Sequence, residues 1–149
     1  MSANICITGL GLIGGSLARS LRLNGFTGKI TGVDTNPHHC TMYRGLADEF
    51  LPLEEAVAKS DIIILCAPVN VNCRLLPGIL DMISGTGKVV ADMGSTKADI
   101  AAVADSHPAR GRFVAVHPMA GTEHSGPAAA LDRLFNDRIA IICDPDRSD

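Results

Sequence analysis

Residues 4–23 read NICITGLGLIGGSLARSLRL, which combines a short apolar run, a glycine-rich turn and a segment with helical spacing of its apolar residues. The run over residues 4–8 is rich in isoleucine, as expected for a strand of a parallel sheet that is covered on both faces. Residues 12–23 have helical periodicity, and Asn24-Gly25 is a typical helix end. The stretch therefore predicts a strand, a tight turn and a helix.

The turn between this strand and this helix has the pattern G-x-G-x-x-G, formed by Gly9, Gly11 and Gly14. Gly9 permits the tight turn, Gly11 allows a pyrophosphate to approach the backbone, and Gly14 allows close packing of the helix. The first N–H groups of the helix, at Leu12 and Ile13, would face the phosphates. The pattern in this context predicts a dinucleotide site, and a purely structural glycine turn is the alternative.

An acidic residue at the end of the next predicted strand supports the same interpretation. Asp34 lies twenty residues beyond Gly14, where a carboxylate can accept hydrogen bonds from both hydroxyls of a ribose. Its charge would repel a 2′-phosphate, and residues 35–37 provide no arginine that could hold one. NAD is therefore predicted rather than NADP. His38 and His39 could carry partial positive charge, but histidine is mostly neutral near pH 7, so both are interpreted as part of a solvated helix start.

Outside this unit, short apolar runs continue to alternate with helical segments. Further strands are predicted over residues 29–33, 49–51, 61–66, 88–91, 113–116 and 138–143. Further helices are predicted over residues 36–45, 53–59, 69–83 with a break at Pro77-Gly78, 96–104 and 127–135. This alternation predicts one α/β domain over residues 1–149, a Rossmann-type doubly wound and mostly parallel sheet with helices on both faces. Its ligand should lie at the carboxyl ends of the strands.

The composition excludes several classes of protein. The 149 residues are 46% hydrophobic and 19% charged, so the chain is too apolar for a disordered protein. The net charge of −3 and the absence of a basic block argue against nucleic acid as a partner. Five cysteines without C-x-x-C spacing indicate reduced thiols and no metal site. Without a leader or an apolar run of about 18 residues, a soluble cytoplasmic protein without membrane contact is expected.

Two loops that follow predicted strands contain further candidate residues. The first contains Ala67, Pro68 and Val69, whose small apolar groups could let a nicotinamide ring lie against the strand end. A proline that simply begins the next helix is the alternative, and it is compatible with the cofactor role. The second loop contains Ser95, which could cap the following helix, serve the site, or do both.

The loop over residues 117–126 reads HPMAGTEHSG and follows the predicted strand over residues 113–116. Its first residue, His117, lies at the carboxyl end of that strand and should face the dinucleotide crevice. A histidine in this position can accept a proton as hydride leaves a substrate carbon, which makes His117 the candidate general base. A structural or exposed histidine is the alternative.

Three segments together resemble one enzyme family. GLGLIGGSLA, DMGSTK and HPMAGTEHSG, in this order and at these separations, are similar to the nucleotide-binding domain of the prephenate dehydrogenases, the TyrA family of tyrosine biosynthesis. The resemblance extends over nearly the whole chain, and the last two segments are its specific part. It implies NAD-dependent oxidative decarboxylation of prephenate to 4-hydroxyphenylpyruvate. The alternatives are arogenate dehydrogenase, another small-molecule dehydrogenase, or a nucleotide-binding module without turnover.

The resemblance also implies roles for individual residues. His117 would bind the ring hydroxyl of the substrate and accept its proton, and Ser95 would orient that hydroxyl and the nicotinamide. Thr122 and Glu123 would line or gate the substrate entrance. Gly121 would keep the loop close to the cofactor.

Members of this family continue into a helical domain. That domain forms the dimer and supplies arginine and other groups that hold the substrate carboxylates. The resemblance implies that this domain is absent from residues 1–149. Substrate recognition and the expected homodimer would then depend on residues outside this range.

Overall fold

The structure is a computed structural model that describes residues 2–149. Its strands are β1 (Ile5–Thr8), β2 (Ile30–Val33), β3 (Glu49–Phe50), β4 (Ile62–Leu65), β5 (Val89–Asp92), β6 (Phe113–Pro118) and β7 (Ala140–Cys143). Its α-helices are α1 (Leu12–Leu23), α2 (Pro37–Met42), α3 (Leu53–Lys59), α4 (Val69–Ile83) and α5 (Ala98–Asp105). Short 3-10 turns follow at Arg110–Arg112, Pro127–Ala129 and Pro145–Arg147. None of the helices in this part of the chain is long and apolar enough to cross a membrane.

The strands form one sheet in the order β3-β2-β1-β4-β5-β6-β7. Each neighbouring pair from β3 to β6 is parallel, and β7 runs antiparallel to β6. The chain moves outward from β1 to β3 and then returns to place β4 on the other side of β1. The loops after β1 and β4 therefore diverge, which opens a crevice at their carboxyl ends. The predicted α/β doubly wound fold is confirmed.

Helices cover both faces of the sheet because alternate side chains of each strand point to opposite sides. In β1, Ile5 and Ile7 pack with one cluster that includes Ala18 of α1. Cys6 points the other way, into a cluster formed with α3, α4 and α5. Its side chain is completely buried, and burial raises the pKa of its thiol to about 12. This cysteine therefore contributes to the core as a small apolar residue.

The prediction of a helix over residues 127–135 is wrong, since only the 3-10 turn Pro127–Ala129 forms there. The segment is held by contacts with distant residues. The hydroxyl of Tyr43 donates a hydrogen bond to the carbonyl oxygen of Pro127 at 3.1 Å. The backbone N–H of Leu131 donates to Oγ of Ser16 in α1 at 2.9 Å. Because these partners satisfy its backbone groups, the segment lies along α1 without forming a helix of its own.

The predicted break at Pro77-Gly78 is also wrong, because α4 continues through both residues to Ile83. A proline inside a helix removes one backbone hydrogen bond and favours a kink. In α4 this cost is offset by a continuous buried face, in which Leu76, Ile79 and Leu80 are completely buried. Tertiary packing here outweighs the local preference of the proline.

Two helical glycines have opposite surroundings, and we expect opposite effects on stability. A Cβ atom added at Gly14 would overlap the carbonyl oxygen of Gly9, whereas one added at Gly78 would meet no atom within 4 Å. Gly14→Ala should lower the free energy of unfolding by about 1–3 kcal/mol through overpacking. Gly78→Ala should raise it by about 0.5–1 kcal/mol, because alanine loses less backbone entropy. Urea unfolding of both variants tests this, and changes of the same sign would contradict it.

Candidate dinucleotide crevice

Two adjoining clefts lie at the carboxyl ends of the central strands. The larger cleft, of about 720 Å³, contains Asp34 in its wall. The smaller cleft, of about 440 Å³, contains His117 in its wall. The residues that line both clefts come from the turn after β1, the loop after β4 and the end of the loop after β6; they are Gly11, Cys66, Ala67, Pro68 and Gly126. The two clefts therefore form one crevice across the point where the strand order reverses.

The three glycines of the β1–α1 turn have different surroundings. Gly9 has a φ of +83°, and a Cβ atom there would lie 2.5 Å from the backbone nitrogen of Ala67. Packing within the fold thus explains both Gly9 and Gly14. At Gly11 an added Cβ atom would meet nothing within 4 Å, although this residue lines both clefts. Gly11 also precedes α1 without a side-chain cap, so the first N–H groups of the helix are available to a ligand.

Asp34 is held at the rim of the larger cleft by backbone donors. Its Oδ2 accepts a hydrogen bond from the N–H of Leu10 at 2.8 Å, and its Oδ1 accepts one from the N–H of Asn36 at 2.8 Å. Partial burial alone would raise the pKa of this carboxyl group, but these N–H groups and the ring of His39 together hold the pKa below its ordinary value. The cleft therefore presents an ionised carboxylate at neutral pH.

His39 also contacts this carboxylate, which the sequence interpretation missed. Its Nδ1 lies 3.0 Å from Oδ2 of Asp34, and 27% of its side chain is exposed. The solvated helix start predicted for both histidines applies to His38, which is exposed, and not to His39. The five-residue spacing between Asp34 and His39 was the available signal. It becomes informative only when α2 is seen to turn back toward the end of β2.

The remaining wall of the larger cleft is mostly apolar and was not predicted either. It consists of side chains from the end of β2, from β3 and the segment after it, and from α4; they are Val33, Phe50, Leu51, Leu53, Val71 and Leu75. Val71 and Leu75 are four residues apart and thus lie on the same face of α4. This spacing is the signal that could have identified them. A planar, weakly polar group of a ligand would fit between such side chains.

The smaller cleft brings together both predicted catalytic residues. His117 is half-buried near the end of β6, where its backbone pairs with Ile141 of β7. Ser95 is exposed in the loop after β5. Leu12, Ile13 and Val69 line the same cleft. The predicted helix start after Pro68 is confirmed, since α4 begins at Val69.

The loop that contains Ser95 is anchored by a buried ion pair. Asp92 is completely buried and accepts hydrogen bonds from Nζ of Lys97 at 2.5 Å and from Nδ2 of Asn72 at 2.9 Å. Nζ of Lys97 also donates to the carbonyl oxygen of Asp92 at 3.1 Å. Helix α5 begins after Lys97 and has no side-chain cap, so Ser95 does not cap it. The loop is closed by the pair of Asp92 and Lys97, which leaves the Ser95 hydroxyl at the cleft.

Four predicted site residues lie outside the walls of both clefts. Gly14 is buried under the turn, as described above, whereas Gly121, Thr122 and Glu123 are exposed. Oγ1 of Thr122 accepts a hydrogen bond from the N–H of His124 at 3.2 Å. Among residues 119–126, which follow β6, those that line the smaller cleft are Ala120, His124, Ser125 and Gly126.

Comparisons with known proteins agree with this geometry. The family model described as the nucleotide-binding domain of prephenate dehydrogenase matches residues 17–149. The prephenate dehydrogenase of Lactococcus lactis is 33% identical over 141 residues, which are 93% of this chain and 40% of that protein. The crystal structure of prephenate dehydrogenase from Aquifex aeolicus has a TM-score of 0.87 and 33% identity, and covers 99% of this chain and 54% of that chain.

Two further crystal structures concern ligands and substrate. The Aquifex aeolicus enzyme in complex with hydroxyphenyl propionate and NAD+ has a TM-score of 0.79 and 32% identity over all of this chain and 53% of that chain. Arogenate dehydrogenase from Synechocystis has a TM-score of 0.79 and 28% identity over 98% of this chain and 51% of that chain. The present chain thus spans about half or less of the length of these relatives. From its sequence, its fold and its crevice, the chain belongs to the prephenate dehydrogenase family, of which it forms the nucleotide-binding domain.

Proposed function

We propose that this chain binds NAD and serves the oxidative decarboxylation of prephenate to 4-hydroxyphenylpyruvate within a complete enzyme. The observation that carries the proposal is the continuity of the two clefts at Gly11, which puts Asp34 and His117 in one crevice. The Aquifex aeolicus relative, crystallised with NAD+ and a hydroxyphenyl compound, supports the same pairing of cofactor and substrate class.

The residues of the crevice fit a dinucleotide. The open space at Gly11 admits a pyrophosphate, and the first N–H groups of α1, at Leu12 and Ile13, would donate to it. The carboxylate of Asp34 would accept a hydrogen bond from one ribose hydroxyl. The surface formed by the loop that contains Ala67, Pro68 and Val69, together with Ser95, would hold the nicotinamide. When bound, NAD supplies the acceptor for the hydride that leaves the substrate ring.

His117 and Ser95 act on the substrate hydroxyl in this proposal. His117 accepts the proton of the ring hydroxyl as the hydride leaves the same carbon, and loss of the ring carboxylate as carbon dioxide makes the ring aromatic. Ser95 orients the hydroxyl toward His117. Gly121, Thr122 and Glu123 lie in the exposed part of the loop after β6. Thr122 and Glu123 would border the substrate entrance there, and Gly121 would keep the loop close to the cofactor.

The smaller cleft lacks the charge that prephenate requires. Among the described residues that line it, none is lysine or arginine, and its histidines are His117 and His124. Prephenate carries two carboxylates, and the described residues that line this cleft offer no lysine or arginine to neutralise them. We therefore propose that a helical domain, which would also form the homodimer, completes the substrate site.

Residues 1–149 alone should consequently bind NAD but fail to turn over prephenate, because nothing in the cleft holds the dianion in a reactive position. Calorimetry with NAD and an assay of NADH formation on the purified chain test both parts. Rapid prephenate turnover by this chain would refute the need for a second domain. Failure to bind NAD would refute the proposed function itself.

The chain should bind NAD more tightly than NADP by at least about tenfold at pH 8, because the ionised Asp34 accepts from a ribose hydroxyl but repels a 2′-phosphate. Calorimetry with both cofactors measures the ratio. The Asp34→Asn variant should reduce the ratio, since it removes the charge and keeps the size of the side chain. Equal affinities in the unmodified chain would contradict the role of Asp34.

Arogenate is the second candidate substrate, and the similarity to the Synechocystis arogenate dehydrogenase favours it. The side chain carries a keto group in prephenate and an amino group in arogenate, whereas the ring hydroxyl is the same in both. His117 and Ser95 would thus act identically on both. Comparing kcat/KM for prephenate and arogenate in a complete enzyme separates the two candidates.

A further inference from the structure

Asp92, the last residue of β5, lies behind the smaller cleft and is not among the described residues that line it. Its side chain is completely buried, but it accepts three hydrogen bonds. Oδ1 accepts from Nδ2 of Asn72 at 2.9 Å and from the N–H of Gly94 at 3.2 Å, and Oδ2 accepts from Nζ of Lys97 at 2.5 Å. Such a carboxylate fixes the groups around it, because a buried charge without its partners is costly.

The donors to Asp92 connect the two loops that form one side of the smaller cleft. Asn72 lies in the first turn of α4, which begins at Val69. Gly94 precedes Ser95 in the loop after β5, and all three of Val69, Gly94 and Ser95 line the cleft. The two loops also pack directly on each other, since a Cβ atom at Gly94 would lie 2.9 Å from Cγ2 of Val69. The carboxylate therefore ties the start of α4 to the loop that contains Ser95.

Lys97 closes the loop after β5 from its other end. Its Nζ contacts both the side chain and the carbonyl oxygen of Asp92, and only 15% of its side chain is exposed. Lys97 is not among the described residues that line the cleft, so its charge is paired with Asp92 and is not presented to a ligand. The nicotinamide of NAD carries a positive charge in its oxidised form, and a neutral pair does not repel it.

We propose that Asp92 and Lys97 are positioning residues that hold the two loops in the arrangement in which Val69 and Ser95 bind the nicotinamide. The inference rests on the proposed binding of NAD. Neither residue touches the cofactor, and each acts through the loop that it holds. Loops that are fixed before binding lose less conformational freedom when the ligand enters, which raises affinity. The adenosine half of NAD, which would bind near Asp34 in the larger cleft, should not depend on this pair.

The experiment compares NAD with ADP-ribose, which has the same adenosine, pyrophosphate and ribose groups but lacks the nicotinamide. Calorimetry gives both dissociation constants for the unmodified chain, for Lys97→Met and for the control Lys59→Met. The ratio of the ADP-ribose to the NAD dissociation constant should be about fivefold or more lower in Lys97→Met than in the unmodified chain, with the affinity for ADP-ribose unchanged. A general loss of stability would weaken both ligands alike, so the ratio separates positioning from a purely structural role.

Lys59→Met is the matched control because it removes a lysine from a different ion pair. Nζ of Lys59 lies 3.2 Å from Oε2 of Glu49, and 53% of the lysine side chain is exposed. Neither residue of this pair is among the described residues that line the two clefts of the crevice. The ratio of dissociation constants in Lys59→Met should therefore equal that in the unmodified chain.

An unchanged ratio in a folded Lys97→Met chain, whether or not both affinities fall, would overturn the inference. Absence of binding of both ligands by the unmodified chain would instead overturn the proposed function. If Lys97→Met does not fold, Asn72→Ala replaces it, because this variant removes the donor from α4 and leaves the ion pair in place. The ratio should fall there too, and an unchanged ratio would overturn the inference.

Discussion

A His117→Asn variant of a complete enzyme that contains this domain should have a kcat about a hundredfold or more below the unmodified value. Asparagine has no ring nitrogen that can accept the proton of the substrate hydroxyl. The strand should persist, because the pairing of residue 117 with Ile141 involves only backbone groups. The dissociation constant of NAD should change little, since in the proposed function His117 acts on the substrate hydroxyl and does not hold the cofactor. Steady-state kinetics and calorimetry separate these effects.

A second histidine provides the control for this variant. His107 follows α5, and its Nε2 lies 3.1 Å from Oδ1 of Asp81, outside the walls of both clefts. His107→Asn should leave kcat unchanged, with any effect limited to stability. A His117→Asn enzyme with an unmodified kcat would remove His117 from the chemistry.

Gly11→Val should weaken NAD binding by about a hundredfold or more, which corresponds to at least about 2.7 kcal/mol. The valine side chain would fill the space where a pyrophosphate must approach the backbone. The variant should nevertheless fold, because a Cβ atom at Gly11 would meet nothing within 4 Å. Calorimetry with NAD measures the loss, and urea unfolding confirms that the domain is intact.

The matched control for Gly11→Val is Gly87→Val. A Cβ atom at Gly87 likewise meets nothing within 4 Å, and Gly87 lies in the turn before β5, away from the crevice. Its variant should bind NAD normally. Unmodified NAD affinity in a well-folded Gly11→Val chain would show that the glycine turn has only a structural role.

The fold could be predicted from the sequence because its determinants are local. The apolar residues of α1 and α3 predict both helices with the bounds that the structure has. The run Ile62–Leu65 is apolar at every position, as expected for a strand between two layers of helices. The glycine pattern and Asp34 indicated the crevice, since each follows the carboxyl end of a parallel strand.

The failures share a physical cause, which is that distant contacts replaced local preferences. Residues 127–135 have a helical composition, but Tyr43 lies 84 positions from its partner Pro127, and Ser16 lies 115 positions from its partner Leu131. The break expected at Pro77 does not form, since the buried face of α4 compensates for the lost hydrogen bond. No local pattern contains such information.

The sequence by itself determined the class of fold, the edge of the sheet that holds the crevice, and His117 and Ser95 as candidates, because periodicity and turn chemistry act over a few residues. Only the tertiary structure decided that Gly9, like Gly14, is required by packing, because a Cβ atom at Gly9 would meet the backbone of Ala67. It also decided that His39 contacts Asp34. These properties depend on how separate segments meet in space, and the free energy of such contacts belongs to the folded chain as a whole.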